Sequence, residues 1–377
     1  ATGGPGSVFW MWIVAIFGMM TNYSENVLGI YYRRKNEDGE WCGGAMYYLK
    51  DGLGSYPGYK KIGSVLAVLF SCFCILASFG IGNMGQINSI AVNMTEAFHI
   101  PAWVTGVCLM AVAALVVLGG IKRIAAVTEK LVPFMALAYI VGAIVIAVMN
   151  ASNIIPAFAI IFKCAFTGRA AFGGVIGATV KDAVTWGMKR GVFSNEAGLG
   201  SSVMVHAAAD AREPCEQGMW AVFEVFFDTI VMCSVTAFVI LTSGVYDVSR
   251  YALASGTPLL SQLTTGAQLT AEAFSTVFGR FGRGFVAVSL ALFAFSTLLG
   301  WSYYGQRAAA YLMGERVIPV YKAAFLLAAA AGCMMRLEPV WALSDTFNGL
   351  MALPNLAGVL ALRRQVIAEW CRYKHDL

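Results

Sequence analysis

Long apolar runs alternate with short polar links along the whole chain. A helix needs about 20 residues to cross a bilayer. Runs at 8–32, 62–95, 124–149, 217–244, 281–313 and 339–362 have that length, and shorter runs lie at 101–120 and 317–335. The stretch 183–209 is different. Within it Gly191–Ala207, GVFSNEAGLGSSVMVHA, carries Asn195, Glu196 and closely spaced glycines and serines but no strong apolar stripe. Gly198 and Gly200 each weaken a helix by roughly 1 kcal/mol against alanine. In lipid, unwound backbone is tolerated only where it finds partners or lines a wet cavity, and a broken helix near the midplane is a transporter-site signature. A small-residue packing face is the competing reading, but packing alone does not ask for Asn195 and Glu196. The pattern predicts an all-α polytopic membrane protein with about nine spans, the fifth broken. Residues 150–182, with Gly173, Gly174 and Gly177, read as an external loop with a short surface helix. Residues 245–275 read as a second external loop.

Composition narrows the class. The chain is 59% hydrophobic and 12% charged, about half the charge of a soluble protein. A net charge of +5 over 377 residues gives no nucleic-acid signature. The nine cysteines are scattered without a CxxC pair, and His99, His206 and His375 are far apart, so neither a disulfide framework nor a metal motif is expected. With no Ser/His/Asp set and no HExxH, no enzyme is expected, and no cofactor. The chain begins at Ala1 without a basic leader, so no signal peptide is read.

Loop charge sets orientation. Six Lys/Arg lie in 33–61 and none in 96–121, which places the first loop and the basic tail (Arg363, Arg364, Arg372, Lys374) on the cytoplasmic side. The chain also resembles itself. Ala77–Ala91, ASFGIGNMGQINSIA, aligns with Ser296–Ala310, STLLGWSYYGQRAAA, through Gly85-Gln86 and Gly305-Gln306. Ile124–Ile140 aligns with Val340–Leu356 through Thr128-Glu129 and Ser344-Asp345. Corresponding helices are five apart, so they cross in opposite directions, as in the inverted repeats of secondary transporters. The broken helix would open the second half. Its counterpart would precede Gly3, so the first half is expected to lack its first core helix. The expected division is 1–149 (core helices two to five), 150–182 (external loop), 183–362 (core helices six to ten) and 363–377 (cytoplasmic tail).

Several residues could carry chemistry. Gly80–Gly85 fits GxGxxG, but it lies in an apolar helical run with no preceding strand, which excludes a dinucleotide loop. It serves either close helix packing or a cavity faced by Asn83 and Gln86, which three-residue spacing puts on one helix face. Ser296 and Thr297 offer paired hydroxyls to a hard cation, or bond back to their own helix. Trp301 either walls a small pocket or packs. Intramembrane acids are costly and usually functional. Of these, Glu129 reads as part of a salt-bridge cluster with Lys122, Arg123 and Lys130, and Glu25 as interfacial. Glu224 and Asp228, one turn apart, are expected on an inward face.

These stretches together resemble the alanine or glycine:cation symporter family, sodium-coupled carriers of prokaryotes. The resemblance rests on GGPGSVFWMW, GMMTNYSENVLGIYYR, FGIGNMGQINSIA, GGIKRIAAVTEKLVPFMALAYI, RGVFSNEAGLGSSVMVHAAA, FFDTIVMC, STLLGWSYYGQRAAAYL and SDTFNGLMALPNLAGVLAL, and spans Gly3 to about Leu362. It implies an amino acid–polyamine–cation type fold of two inverted five-helix repeats, in the inner membrane of a prokaryote. It implies a monomer that takes up alanine, glycine or another small neutral amino acid with Na⁺ by alternating access. By motif position, Asn83, Gln86, Phe193, Ser194, Asn195, Gly198, Gly200, Thr297 and Trp301 would bind substrate, and Ser296 and Thr297 would ligate sodium. The family pattern has two more helices before Gly3, the second with a GTGNIAGVA-like break, so the chain reads as amino-terminally truncated. The alternatives are a transport-incompetent fragment of such a carrier, or an ion channel. Saturable, Na⁺-dependent flux separates the carrier from the channel, and the upstream gene sequence separates it from the fragment.

Overall fold

The computed structural model describes residues 3–37, 39–167, 180–254, 263–335 and 337–376, with the side chains of 252–254, 337–344 and 376 excepted. Gly173, Gly174 and Gly177 of the expected loop lie outside the described residues. The described chain is almost entirely helical. In order it forms α1 (Gly6–Tyr31), a two-stranded antiparallel ribbon of β1 (Arg34–Lys35) and β2 (Trp41–Cys42), and short helical turns over 45–55. Then come α2 (Lys60–Phe98), α3 (Ala102–Val117), α4 (Gly120–Met149), α5 (Ile154–Thr167), α6 (Val180–Asn195) and α7 (Val203–His206). They are followed by α8 (Pro214–Thr242), α9 (Val248–Ala254), α10 (Ala267–Phe278), α11 (Arg280–Met313), α12 (Ile318–Gly332), α13 (Leu337–Ala361) and α14 (Arg363–Asp376).

Among the described residues, α1, α2, α4, α8 and α11 are each long and apolar enough to cross a membrane. They coincide with five of the apolar runs read from the sequence. Their outer faces carry large apolar side chains such as Phe17, Val65, Phe134, Leu137 and Val148. Those faces suit lipid, because in water such continuous apolar surface is rare. The chain is therefore an all-α membrane protein. α3 is a shorter apolar helix of 16 residues. The segment read as a surface helix, α5, is also apolar, and Ala157, Ile161, Cys164 and Ala165 on it are buried. The expected second loop contains α9 and α10.

By contact the chain falls into two compact units. The first comprises 1–18, 133–195 and 224–290. Aromatic residues at the start of α1 hold it together. Trp10 Nε1 donates to the Ala165 carbonyl (3.2 Å) and Trp12 Nε1 to Ser234 Oγ (2.7 Å), while the Phe9 ring meets Phe162 and Phe166 at 5.5 and 5.0 Å. A tryptophan buries a large apolar area once its single donor is satisfied.

The second unit comprises 19–132, 196–223 and 291–377. In it α13 packs along α2, and α12 along α3. Small residues bring the backbones close, as lipid-embedded helices require. A Cβ at Gly332 would lie 2.7 Å from Met84 Cα, and one at Gly82 would collide with the Trp301 side chain. The two sequence stretches that resemble each other, 77–91 and 296–310, pack against one another here at Gly82–Trp301 and Ser78–Gly305. Asn83 and Asn88 of α2 donate to α12 and the turn after it, Asn83 to the Phe325 carbonyl (2.6 Å) and Asn88 to those of Gly332 (3.1 Å) and Met335 (2.6 Å).

Arg33 ties the first loop of this unit to the segment after α7. Its guanidinium donates to the carbonyls of Ala207 (3.2 Å), Ala209 (2.7 Å) and Ala211 (2.7 Å) and stacks 4.1 Å over Trp41. Burial pulls its pKa down, and Asp210 opposes that shift. Its partners are backbone carbonyls that ask for a fork of donors rather than a point charge. Arg33→Ala is expected to lower the stability of the purified protein by about 2 kcal/mol. Arg33→Lys should recover only part, both read as thermal midpoints in detergent. Midpoints equal to wild type would show that the three bonds are not formed in solution. The cluster expected around Glu129 is arranged differently: Lys122 pairs with Glu40 (3.6 Å), and Arg123 donates to the Leu115 carbonyl (2.8 Å).

Candidate functional site

The chain around residue 200 does break. α6 ends at Asn195, and Glu196, Gly198 and Gly200 take left-handed φ values of 55°, 89° and 73°. α7 resumes only at Val203. A left-handed residue is a common helix terminator, and beyond it the Leu199 amide bonds the Glu196 carbonyl (3.0 Å), which closes a separate turn over 196–199. Three left-handed residues in five keep the backbone from continuing as a helix. Glycine meets that requirement without strain at two positions. Glu196 is not glycine, and its side chain is anchored.

Within the second unit, Glu196 Oε1 accepts from Trp301 Nε1 (2.8 Å) and Oε2 from Ser201 Oγ (2.6 Å). Trp301 is 2% exposed and lies against Gly82 of the wide helical turn Gly80–Met84. Such π-turns inside α-helices gather at functional sites. The same turn changes the expected geometry of the two α2 amides. It interrupts the 3.6-residue period, so three-residue spacing no longer gives Asn83 and Gln86 common partners. Asn83 is fully buried, donates to Phe325 and leaves Oδ1 without a hydrogen bond, whereas Gln86 Nε2 folds back on the Ile81 carbonyl (3.2 Å).

Ser296 Oγ and Thr297 Oγ1 both donate to the Phe293 carbonyl (2.8 and 3.1 Å). This is back-bonding to their own helix. Each hydroxyl oxygen keeps its lone pairs for a cation, so the bond does not remove a ligand role. No group of three His, Cys, Asp or Glu side chains able to hold a metal occurs among the described residues. Sodium does not need one, since hydroxyl and carbonyl oxygens suffice for a hard cation.

In the first unit, Asn195 is buried and donates to Thr229 Oγ1 (3.0 Å), which in turn donates to Asp228 Oδ2 (3.0 Å). Ser194 lies close to Asp228, and its Oγ is hydrogen-bonded with Cys233 Sγ at 3.4 Å. Phe193 lies 5.2 Å from the Arg190 guanidinium. The face expected to carry Glu224 and Asp228 inward is not buried throughout: Glu224 is exposed and Asp228 half-buried. A second wide turn, Phe226–Cys233, starts between them and shifts the register.

Sequence reasoning missed the polar face of α1. Asn22, Glu25 and Asn26 are fully buried, so Glu25 is not interfacial. Asn22 Oδ1 accepts from Ser202 Oγ (3.3 Å) and from Asn26 Nδ2 (3.1 Å). Gly29, one turn on, leaves room for Val203, whose side chain a Cβ there would strike. Glu25 Oε1 accepts from Asn355 Nδ2, and that nitrogen also reaches the Gly198 carbonyl (2.9 Å). Asn355 Oδ1 accepts the Tyr48 hydroxyl. The signal was available: positions 22, 25, 26 and 29 form an i, i+3, i+4, i+7 stripe of polar or small residues in an apolar helix.

Comparison with known proteins agrees with this picture. The chain is 45% identical over 97% of its length, and 77% of the relative's, to a protein of Methanococcus maripaludis named sodium/alanine symporter AgcS. It is 37% identical over 97% of its length, and 73% of the relative's, to the amino-acid carrier protein AlsT of Bacillus subtilis. It is 34% identical over its whole length, and 83% of the relative's, to the sodium/proton-dependent alanine carrier protein of Bacillus sp. PS3. The sequence profile described as the sodium:alanine symporter family matches residues 1–377. With a broken helix pinned by a buried tryptophan and long apolar helices on either side of it in sequence, the chain belongs to the sodium:alanine symporter family, a family of cation-coupled amino acid symporters.

Proposed function

We propose that the chain couples Na⁺ entry to the uptake of alanine, glycine or another small neutral amino acid by alternating access. The observation that carries the reading is the unwound stretch 196–202, fixed through Glu196 by Trp301. Unwound backbone supplies carbonyls for Na⁺, and a helix end supplies partial charge for a carboxylate or an ammonium. The names of the Methanococcus and PS3 relatives, both containing sodium and alanine, support the same ion and substrate.

The proposed sodium ligands are Ser296 and Thr297, whose oxygens retain lone pairs. The proposed substrate residues in the second unit are Asn83, with its unbonded Oδ1, Gln86, Thr297 and Trp301, with Gly198 and Gly200 shaping the turn. Phe193, Ser194 and Asn195 are proposed from their place in the broken-helix motif. Alternating access would use the two inverted repeats, and the mutual packing of 77–91 and 296–310 supports treating those helices as equivalents. The proposed setting is the inner membrane of a prokaryote, one copy per transport unit, with the carboxyl terminus inside.

Equilibrium binding of radiolabelled alanine and glycine to the purified protein, in NaCl and in choline chloride at equal ionic strength, tests this reading. Saturable binding in sodium and none in choline is expected. Equal binding in both salts would remove the coupling ion. Absence of binding in both, with a larger amino acid bound instead, would remove the substrate class.

A further inference from the structure

The backbone of the break is gripped from both of its polar sides. Glu25 is fully buried, and its contacts are neutral donors: Asn355 Nδ2 bonds Oε1, and the amides of Gly198 and Gly200 approach the carboxylate. Alternating left-handed residues turn successive amides toward one point, a concavity that favours an anion. The Glu25 carboxyl group stands at that point from α1. The Gly198 carbonyl, which faces the other way, is taken by the same Asn355 nitrogen. One residue of the stretch thus has its C=O met by Asn355 and its N–H close to the Glu25 carboxyl group.

Asn355 is placed for this by its own surroundings. It follows Pro354 inside α13, where the proline ring excludes a regular helical bond. Its other polar atom is satisfied by Tyr48, so the carboxamide cannot rotate without breaking three bonds. It is fully buried, and a Cβ at Gly200 would come within 2.7 Å of its Oδ1, so it sits where only glycine leaves space. The remaining carboxylate oxygen, Glu25 Oε2, makes no hydrogen bond. A residue kept only for packing would not need an acid here. Leucine would fill the space without burying a polar group.

We propose that Glu25 and Asn355 form a clamp that positions the unwound stretch 196–202 for transport. Both are positioning residues: they act through the backbone of Gly198 and Gly200, and through it set where Glu196, and with it Trp301, stands. The clamp rests on the proposed symport reading for its consequence in transport, but not for its existence. Releasing either residue leaves the rest of the fold intact and lets the stretch exchange among conformations. Affinity then falls, because only a fraction of molecules hold the binding-competent turn.

The test uses the full chain with Glu25→Leu and Asn355→Ala, read in two ways. Hydrogen–deuterium exchange of peptides covering 196–202 should accelerate about tenfold in either variant, the cost of one unmade buried bond, while α2 and α12 keep wild-type exchange. In proteoliposomes the half-saturation concentrations for alanine and Na⁺ should rise by a similar factor, with the maximal rate changed less. Wild-type exchange at 196–202 in a folded variant would overturn the clamp. Acceleration spread evenly over α2, α12 and α13 would also overturn it, because an ordinary stabilising contact does that. If Glu25→Leu does not fold, Asn355→Ala alone decides by the same criteria. If the wild-type protein carries no Na⁺-dependent flux, the symport reading fails, and the exchange data still decide the clamp.

Discussion

Trp301→Ala is expected to remove Na⁺-driven uptake and to destabilise the protein by about 3–5 kcal/mol, the usual cost of truncating a buried aromatic ring. Two losses add here. The ring is 2% exposed and fills the space that Gly82 leaves open. Its indole N–H is also the donor that Glu196 Oε1 receives. Trp301→Phe separates the two. It keeps most of the volume but withdraws the N–H, so the stability cost should fall to about 1–3 kcal/mol, while uptake stays strongly impaired because Glu196 loses its anchor. Denaturation midpoints in detergent and uptake rates measured on the same preparations check both variants. Wild-type uptake by Trp301→Phe would show that the Trp301–Glu196 bond does not hold the break in place.

Gly200→Val is expected to prevent accumulation of folded protein. A β-branched residue at φ 73° carries backbone strain of about 1–3 kcal/mol, and overpacking adds a further 1–3 kcal/mol. Its Cβ would lie 2.7 Å from Asn355 Oδ1 and 3.1 Å from Ala45 Cβ. Gly39 provides the control. It has nearly the same φ, 76°, but nothing within 4 Å of an added Cβ, so Gly39→Ala should cost only about 1–2 kcal/mol of local strain. Fluorescence-detected size exclusion of membrane extracts compares the two. Equal yields would mean that the close approach of the break to Asn355 does not exist in the membrane.

The sequence made the helices and the break legible for different reasons. The five long apolar helices follow from run length alone, because lipid admits few other ways to satisfy a backbone. The break followed from chemistry that a helix does not want: Gly198 and Gly200 beside Asn195 and Glu196. What the sequence hid were partners. Glu25 looked interfacial because Arg33 is near in sequence, yet Arg33 turns toward the carbonyls of Ala207, Ala209 and Ala211, and Glu25 turns inward to Asn355. No local pattern links residues 330 positions apart. The wide turns at Gly80–Met84 and Phe226–Cys233 were hidden for another reason: they shift side chains around the axis while leaving the apolar run unchanged. At the first of these turns Asn83 and Gln86 take different partners, and at the second Glu224 is exposed while Asp228 is half-buried.

The most direct test of the account is uptake of labelled alanine into proteoliposomes holding the chain, with sodium outside and potassium inside, then with the gradient reversed. Accumulation above the external concentration that follows the direction of the sodium gradient, and that is lost in Trp301→Phe, is the expected result. Uptake that only equilibrates alanine, and is indifferent to the direction of the gradient, would contradict it.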